Sequence, residues 1–428
     1  MSYRAYVEKI LIFGLYFLLL TPLFFQQSLM NPLITLKTLI LQAVIEILFA
    51  CYLWLIIFYP EYRPRLNVLS MSLLVLLGAL ILSAVFGVNW HRSFWSVPER
   101  MTGVFLWLHL AVLFFILISL REKVHWIKYL SFSTVVSFFV ALFPVVQLIF
   151  PDIFFEKITG RLTGTLGNAI FLGIYLLFHV FLGSWLAAHF FKRGRKLLAD
   201  FFGIIVGFDL LVIFLTETRS VFLGLIIGFL FLTSSYLYKA YRNHGIYKPH
   251  VSYLIYSLLV LLVVFGLFFF FTRNQLFWQS VPLFNRFAGQ GLNIFGPRLF
   301  AWKAAGQSFL EKPLLGWGWE NFYYAFNKYY DPHLLKFGFG ETYFDRPHNV
   351  YLEFLATTGL LGLLAYLWLL ATAFKQTCRL SEGRQWFQAL LIAYMVYNFF
   401  AFDTLTSYLM FVVVLGFINS ADNGYVKT

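Results

Sequence analysis

The chain has 428 residues, 61% hydrophobic and only 12% charged, with 54 Phe, 25 Tyr and 12 Trp and a mean hydropathy of +0.77. A soluble globular protein carries about 25% charged residues, so a water-soluble globule is excluded. The net charge of +13 is scattered through the links between apolar runs, as the positive-inside bias produces, and does not form the basic face of a nucleic-acid binder.

A spanning helix takes roughly 20 residues, which leaves room for about a dozen. Apolar runs fall at about 10–25, 38–59, 66–88, 103–120, 129–150, 168–190, 198–216, 220–238, 251–271, 347–374, 386–403 and 405–420. The expected fold is therefore an all-α polytopic membrane protein, one domain over 1–428, with about 12 transmembrane helices. The first run follows Arg4 and Lys9 with no small-residue cleavage site and reads as an uncleaved span. With both termini cytoplasmic, the inside segments carry about three times as many Lys and Arg as the short outside loops. Cys51 and Cys378 fall at different depths and form no disulfide framework or metal cluster.

Between spans 9 and 10, the stretch 272–346 is far longer than any other connection. Loops of that length are functional or disordered, and its Trp, Phe, Tyr and Leu content argues for a folded extracytoplasmic cap with short helices. Within it, Arg298 to Leu310 reads as an amphipathic helix opened by Gly296-Pro297 and ended by Lys312-Pro313. Its apolar stripe would be Leu299, Trp302, Gly306, Phe309 and Leu310. The stretch Leu315 to Phe322, with Trp317 and Trp319, reads either as a turn in the headgroup belt or as a platform that stacks on sugars.

There is no Walker loop, dinucleotide fingerprint, HExxH or DxD pair, so no cofactor and no metal are expected. Instead, basic residues stand at expected helix starts on the outside face. Arg219 follows Thr216-Glu217-Thr218, Arg298 follows Gly-Pro, and His348 follows Pro347, which suits a first helical position. A cation at a helix N-terminus is misplaced by several tenths of a kcal/mol. Three at one face point to an anion pocket, with a lipid-linked phosphate or diphosphate as the anion met there. A neutral His beside such a leaving group suits a general base. Each residue also has a simpler reading: Arg219 paired with Glu217, Arg298 solvated, His348 bonded to a carbonyl or to Glu341, and Arg100 paired with Glu99. The ionisable Glu46, Asp209 and Asp403 read as neutral, hydrogen-bonded groups inside the bundle.

Arg346-Pro347-His348-Asn349-Val350-Tyr351-Leu352-Glu353, followed by Thr358-Gly359-Leu360-Leu361-Gly362, resembles the O-antigen ligase and O-antigen polymerase family of bacterial envelope glycosyltransferases. Glu217-Thr218-Arg219-Ser220, Gly296 to Trp302, Lys312 to Gly318 and Glu99 to Gly103 are similar to family members as well, most specifically over about 200–350. The resemblance implies metal-independent, inverting glycan transfer from an undecaprenyl-diphosphate donor to a glycan, lipid or protein acceptor. The transfer would take place at the outer face of the bacterial cytoplasmic membrane. It also implies that Arg219 and Arg298 hold the donor diphosphate and that His348 activates the acceptor hydroxyl. Arg100, Glu217, Trp302, Glu341, Arg346 and Asn349 stand as supporting candidates. A repeat-unit polymerase is the alternative within the family. A lipid-linked glycan flippase would call for an inverted repeat and mid-membrane charges, and a scaffold would tolerate loss of all three basic residues.

Overall fold

The structure, a computed structural model, describes residues 3–150, 161–244, 296–338 and 342–421. Among these the secondary structure is helical, without strands. In chain order the helices are α1 (Tyr3–Leu18), α2 (Thr35–Phe58), α3 (Val68–Phe86), α4 (Trp90–Trp95), α5 (Val104–Ser119), α6 (Trp126–Ile149) and α7 (Ala169–Lys192). They continue with α8 (Lys196–Thr216), α9 (Arg219–His244), α10 (Gly296–Glu311), α11 (Phe322–Lys328), α12 (Val350–Thr377), α13 (Arg384–Asn398) and α14 (Leu405–Ala421). Every predicted run overlaps a helix, the first only in part because α1 ends at Leu18, except the ninth, 251–271, which lies outside the described residues together with 272–295 and 339–341 of the expected cap. Among the described residues, seven helices are long and apolar enough to cross a membrane: α2, α3, α6, α7, α8, α9 and α12.

The helices form where apolar runs meet local stop and start signals. Asn67 and Ser70 make a reciprocal capping box at the start of α3, and Asn168 and Asn349 accept from backbone N–H groups at the starts of α7 and α12. Burial then sorts the helices by depth in the bundle. α7 is apolar all round and is buried along nearly its whole length against α8, α13, α6 and α14, as a central helix must be. α2, α8 and α9 bury one face only and leave Ile47, Ile57, Ile204 and Leu211 on the outside, where a hydrocarbon solvent suits them. α9 meets α13 through Gly224 and Gly228, whose missing side chains would otherwise strike the carbonyls of Ala393 and Ala389. Small residues let two backbones approach in this way in membranes.

α12 is broken. Gly359 has φ 65° and ψ −165°, so the bonds that would join the carbonyls of Ala356 and Thr357 to the N–H groups of Leu360 and Leu361 are lost. The chain segment 313–318 replaces all four partners. The N–H groups of Trp317 and Gly318 donate to Ala356 and Thr357 (3.1 and 2.8 Å), while Leu360 and Leu361 donate to the carbonyls of Pro313 and Leu314 (2.8 and 3.3 Å). Irregular backbone at this depth is tolerated only where protein satisfies it. The approach is so close that a side chain at Gly316 would meet the Thr357 backbone at 2.4 Å.

That docking corrects two sequence expectations. Trp317 and Trp319 are buried, their indole N–H groups donating to the carbonyls of Ser308 (3.0 Å) and Thr102 (2.9 Å). They are neither a headgroup belt nor a sugar platform, because their faces are already covered. In α10, Leu299 and Leu310 are exposed, and the face packed on α12 and α11 is Ala301, Ala304, Ala305 and Ser308. Close packing against the broken helix selected the small residues over the large apolar ones.

Candidate active site at one end of the bundle

His348 lies two residues before the first residue of α12, not at its first helical position as the sequence suggested. Asn349 takes the N-cap, accepting from the Leu352 N–H (3.1 Å), and His348 adopts a left-handed backbone with φ 54°. Such a conformation costs a non-glycine residue of order 1–3 kcal/mol and persists only where surroundings enforce it. Trp302 on α10 supplies part of that enforcement, since its indole N–H donates to the Pro347 carbonyl (2.9 Å). The imidazole lies between the rings of Phe402 (5.0 Å) and Phe344 (5.8 Å). Its Nδ1 is buried with no hydrogen-bond partner among the described residues. Burial, then the nearby charges of Arg298 and Arg100, push its pKa down to about 3 against the opposing pull of Asp345. The ring is therefore neutral at physiological pH and able to accept a proton.

Arg298 stands in the first turn of α10, as expected, but donates to the Phe400 carbonyl (3.1 Å) just beyond the end of α13. The cation misplaced at one helix start is thus well placed at another helix end. Arg219 opens α9. Because α9 runs antiparallel to α13, with Gly224 at Ala393 and Gly228 at Ala389 and Ala393, five residues back along α9, roughly 7.5 Å, brings Arg219 level with Asn398. Arg219 and Arg298 therefore flank the same end of α13. Glu217, half-buried with φ 50°, is the C-cap of α8.

The turn before Arg219 is held by a residue the sequence reading passed over. Arg161 donates to the Thr216 carbonyl (2.7 Å) and the Thr218 hydroxyl (2.6 Å). A lone Arg between two apolar runs gives no sign of this, because the partners are fifty residues on.

Arg346 is buried and serves a different purpose. Its Nη1 donates to Glu353 (2.7 Å) and its Nη2 to Thr102 (2.7 Å) and Glu320. Thr102 in turn donates to Glu320 (2.9 Å), and Ser96 bonds the other Glu320 oxygen (3.0 Å). Burial disfavours the Arg346 charge, but Glu320 and Glu353 outweigh it and hold the guanidinium protonated. Arg100 pairs with Asp345 rather than Glu99, at 2.9 Å for one bond of the fork. Burial would raise the Asp345 carboxyl, and Arg100 outweighs it and keeps it below its usual range. Ser96, Met101, Glu320 and His348 all carry positive φ, so backbone strain gathers at this end. Glu320 and Glu353 could have been found as acids set in apolar surroundings.

Glu341 lies outside the described residues. Of the other ionisable candidates, Asp209 accepts from the Ser137 hydroxyl (2.8 Å) and Asp403 from the Tyr394 hydroxyl (2.6 Å). Both are hydrogen-bonded inside the bundle, and Glu46 faces His109 at 3.2 Å.

A scan against protein families finds one described as O-antigen ligase over residues 202–367. No curated protein matches the chain.

Proposed function

Starting from the O-antigen ligase family likeness of residues 202–367, we propose that the chain transfers a glycan from an undecaprenyl-diphosphate carrier to an acceptor hydroxyl. The reaction would run at the outer face of the bacterial cytoplasmic membrane, with both termini inside. Arg219 and Arg298 hold the donor diphosphate and stabilise the charge that grows on it as the glycosidic bond breaks, each fork matching phosphate oxygens. No metal is needed, because the two guanidinium groups neutralise the leaving group. His348 takes the proton of the attacking hydroxyl, and attack opposite the departing diphosphate inverts the anomeric carbon.

The observation that carries this reading is the His348 Nδ1, buried, without a hydrogen-bond partner among the described residues and held on a strained backbone. A base prepared in this way lacks only its substrate. Arg298 and Arg100 lower its basicity, and a bound diphosphate would offset the Arg298 charge and raise it again when the donor is in place.

The test is transfer from a radiolabelled undecaprenyl-diphosphate oligosaccharide by purified protein in lipid, wild type against His348→Ala. A single product on an added acceptor, dependent on His348, supports a ligase. A ladder on the carrier would make the chain a polymerase, and equal transfer by the variant would remove His348 from the reaction.

A further inference from the structure

Beside Arg100 a cleft of about 830 Å³ is walled by Glu99, Arg100, Tyr343 and Asp345. It shares Glu99 and Arg100 with a narrower recess of about 40 Å³ that adds Lys37, Thr102, Asp403 and Thr404. Two groups in the recess have unfinished bonding. Lys37 is 2% exposed in the first turn of α2. Its ammonium donates to the carbonyls of Leu33 (2.8 Å) and Thr165 (2.7 Å), which leaves one of three N–H groups; it forms no ion pair among the described residues. Asp403 is 2% exposed, and its Oδ1 is buried with no hydrogen-bond partner among the described residues. A buried ammonium and a buried carboxylate lining one recess are costly unless hydrogen-bonded, and an occupant with hydroxyl groups adds to the bonds that Lys37 makes to Leu33 and Thr165 and Asp403 to Tyr394.

The occupant's chemistry follows from the walls. Arg100 is already paired with Asp345, and Glu99 and Asp403 stand beside Lys37, so the recess carries no excess positive charge to select an anion, in contrast to the arginines at the end of α13. A hydroxyl both donates and accepts and so suits a recess lined by Lys37, Asp403, Thr404 and Thr102, with Phe171 offering an apolar face. One water-sized group takes roughly 10–15 Å³ on this measure. The recess therefore admits an exocyclic arm while a sugar ring fills the cleft.

We propose that cleft and recess form a binding site for a neutral, polyhydroxylated acceptor sugar, with Lys37 and Asp403 as its positioning residues. This rests on the glycan-transfer reading above. Phe402 joins the two places: its ring lies 5.0 Å from the His348 ring and 4.4 Å from the Arg100 guanidinium, and Asp403 is the next residue. A sugar seated against Arg100 and Asp403 thus presents its outer hydroxyls toward the base.

The experiment is saturation-transfer NMR of the full chain in lipid nanodiscs with methyl glucoside, methyl galactoside and methyl mannoside. Undecaprenyl diphosphate binding is measured in parallel by native mass spectrometry. At least one glycoside should bind wild type, and Lys37→Met should weaken it by about tenfold or more, as expected for one hydrogen bond to a charged group, with undecaprenyl diphosphate binding unchanged. Thr404→Val serves as a second variant if Lys37→Met does not fold, and should weaken the glycoside by a smaller factor. Undecaprenyl diphosphate binding without glycoside binding, or equal glycoside binding by wild type and both variants, overturns the sugar site and leaves the transfer reading intact. Loss of both ligands from wild type overturns the transfer reading itself.

Discussion

Arg346 and His348 are two residues apart, and the difference between them separates architecture from chemistry. Arg346 spends its Nη groups on Glu320, Glu353 and Thr102, tying α12 to the 320 turn and to the 96–102 rim. His348, partly buried, keeps its ring Nδ1 without a hydrogen-bond partner among the described residues, on a backbone that resists it. Arg346 leaves its Nε without a hydrogen-bond partner among the described residues, but both its Nη groups bond carboxylates, and a buried charge held in that way keeps the fold in place. A buried base left waiting is held by the fold for something else.

Substitutions can break that contrast. His348→Ala should lower transfer by about 10²–10⁴, the range of a general base, while the thermal midpoint and gel-filtration profile stay near wild type. Arg346→Met should act the other way round. It leaves two buried carboxylates uncompensated, costs about 3–5 kcal/mol, and should show as lost folded protein in detergent before any activity is measured. If Arg346→Met folds normally and loses only turnover, the division between the two residues is wrong.

A smaller effect sharpens the electrostatic side. His348 is lowered to about 3, so in the free enzyme it is deprotonated and competent above that pH. The acid limb of kcat/KM should therefore lie well below pH 6.5. Arg298→Gln removes one of the cations that lower it, so the limb should move to higher pH, besides the weaker donor binding. A limb that stays in place in a pH-rate series would detach Arg298 from His348. The mildest change, Trp302→Phe, removes only the indole bond to the Pro347 carbonyl and should cost about 1 kcal/mol. It should be read as a modest fall in kcat with donor KM unchanged.

The helices were legible because apolar length is a one-dimensional property: runs such as 168–190 and 347–374 coincide with α7 and α12. The residues of the proposed site were partly legible for the same reason, since Arg219 and Arg298 interrupt apolar or turn sequence where nothing local calls for a cation. What could not be read was anything that depends on a partner far along the chain. The Arg161 clamp, the Arg346 network and the recess between Lys37 and Asp403 each join segments separated by dozens to hundreds of residues. The α10 stripe was misread because periodicity cannot say whether a neighbour wants bulk or closeness, and Ala301, Ala304 and Ala305 were chosen for closeness.

The break at Gly359 bears on how the protein is made. A hydrophobic segment in the bilayer must have its backbone satisfied, and the broken form of α12 cannot do this alone, since Ala356, Thr357, Leu360 and Leu361 depend on 313–318. That segment precedes α12 in the chain, and the break forms only where it has docked against the span. Without that docking the span would pair its own backbone as an unbroken, straighter helix, so the kink is a product of assembly and not of insertion.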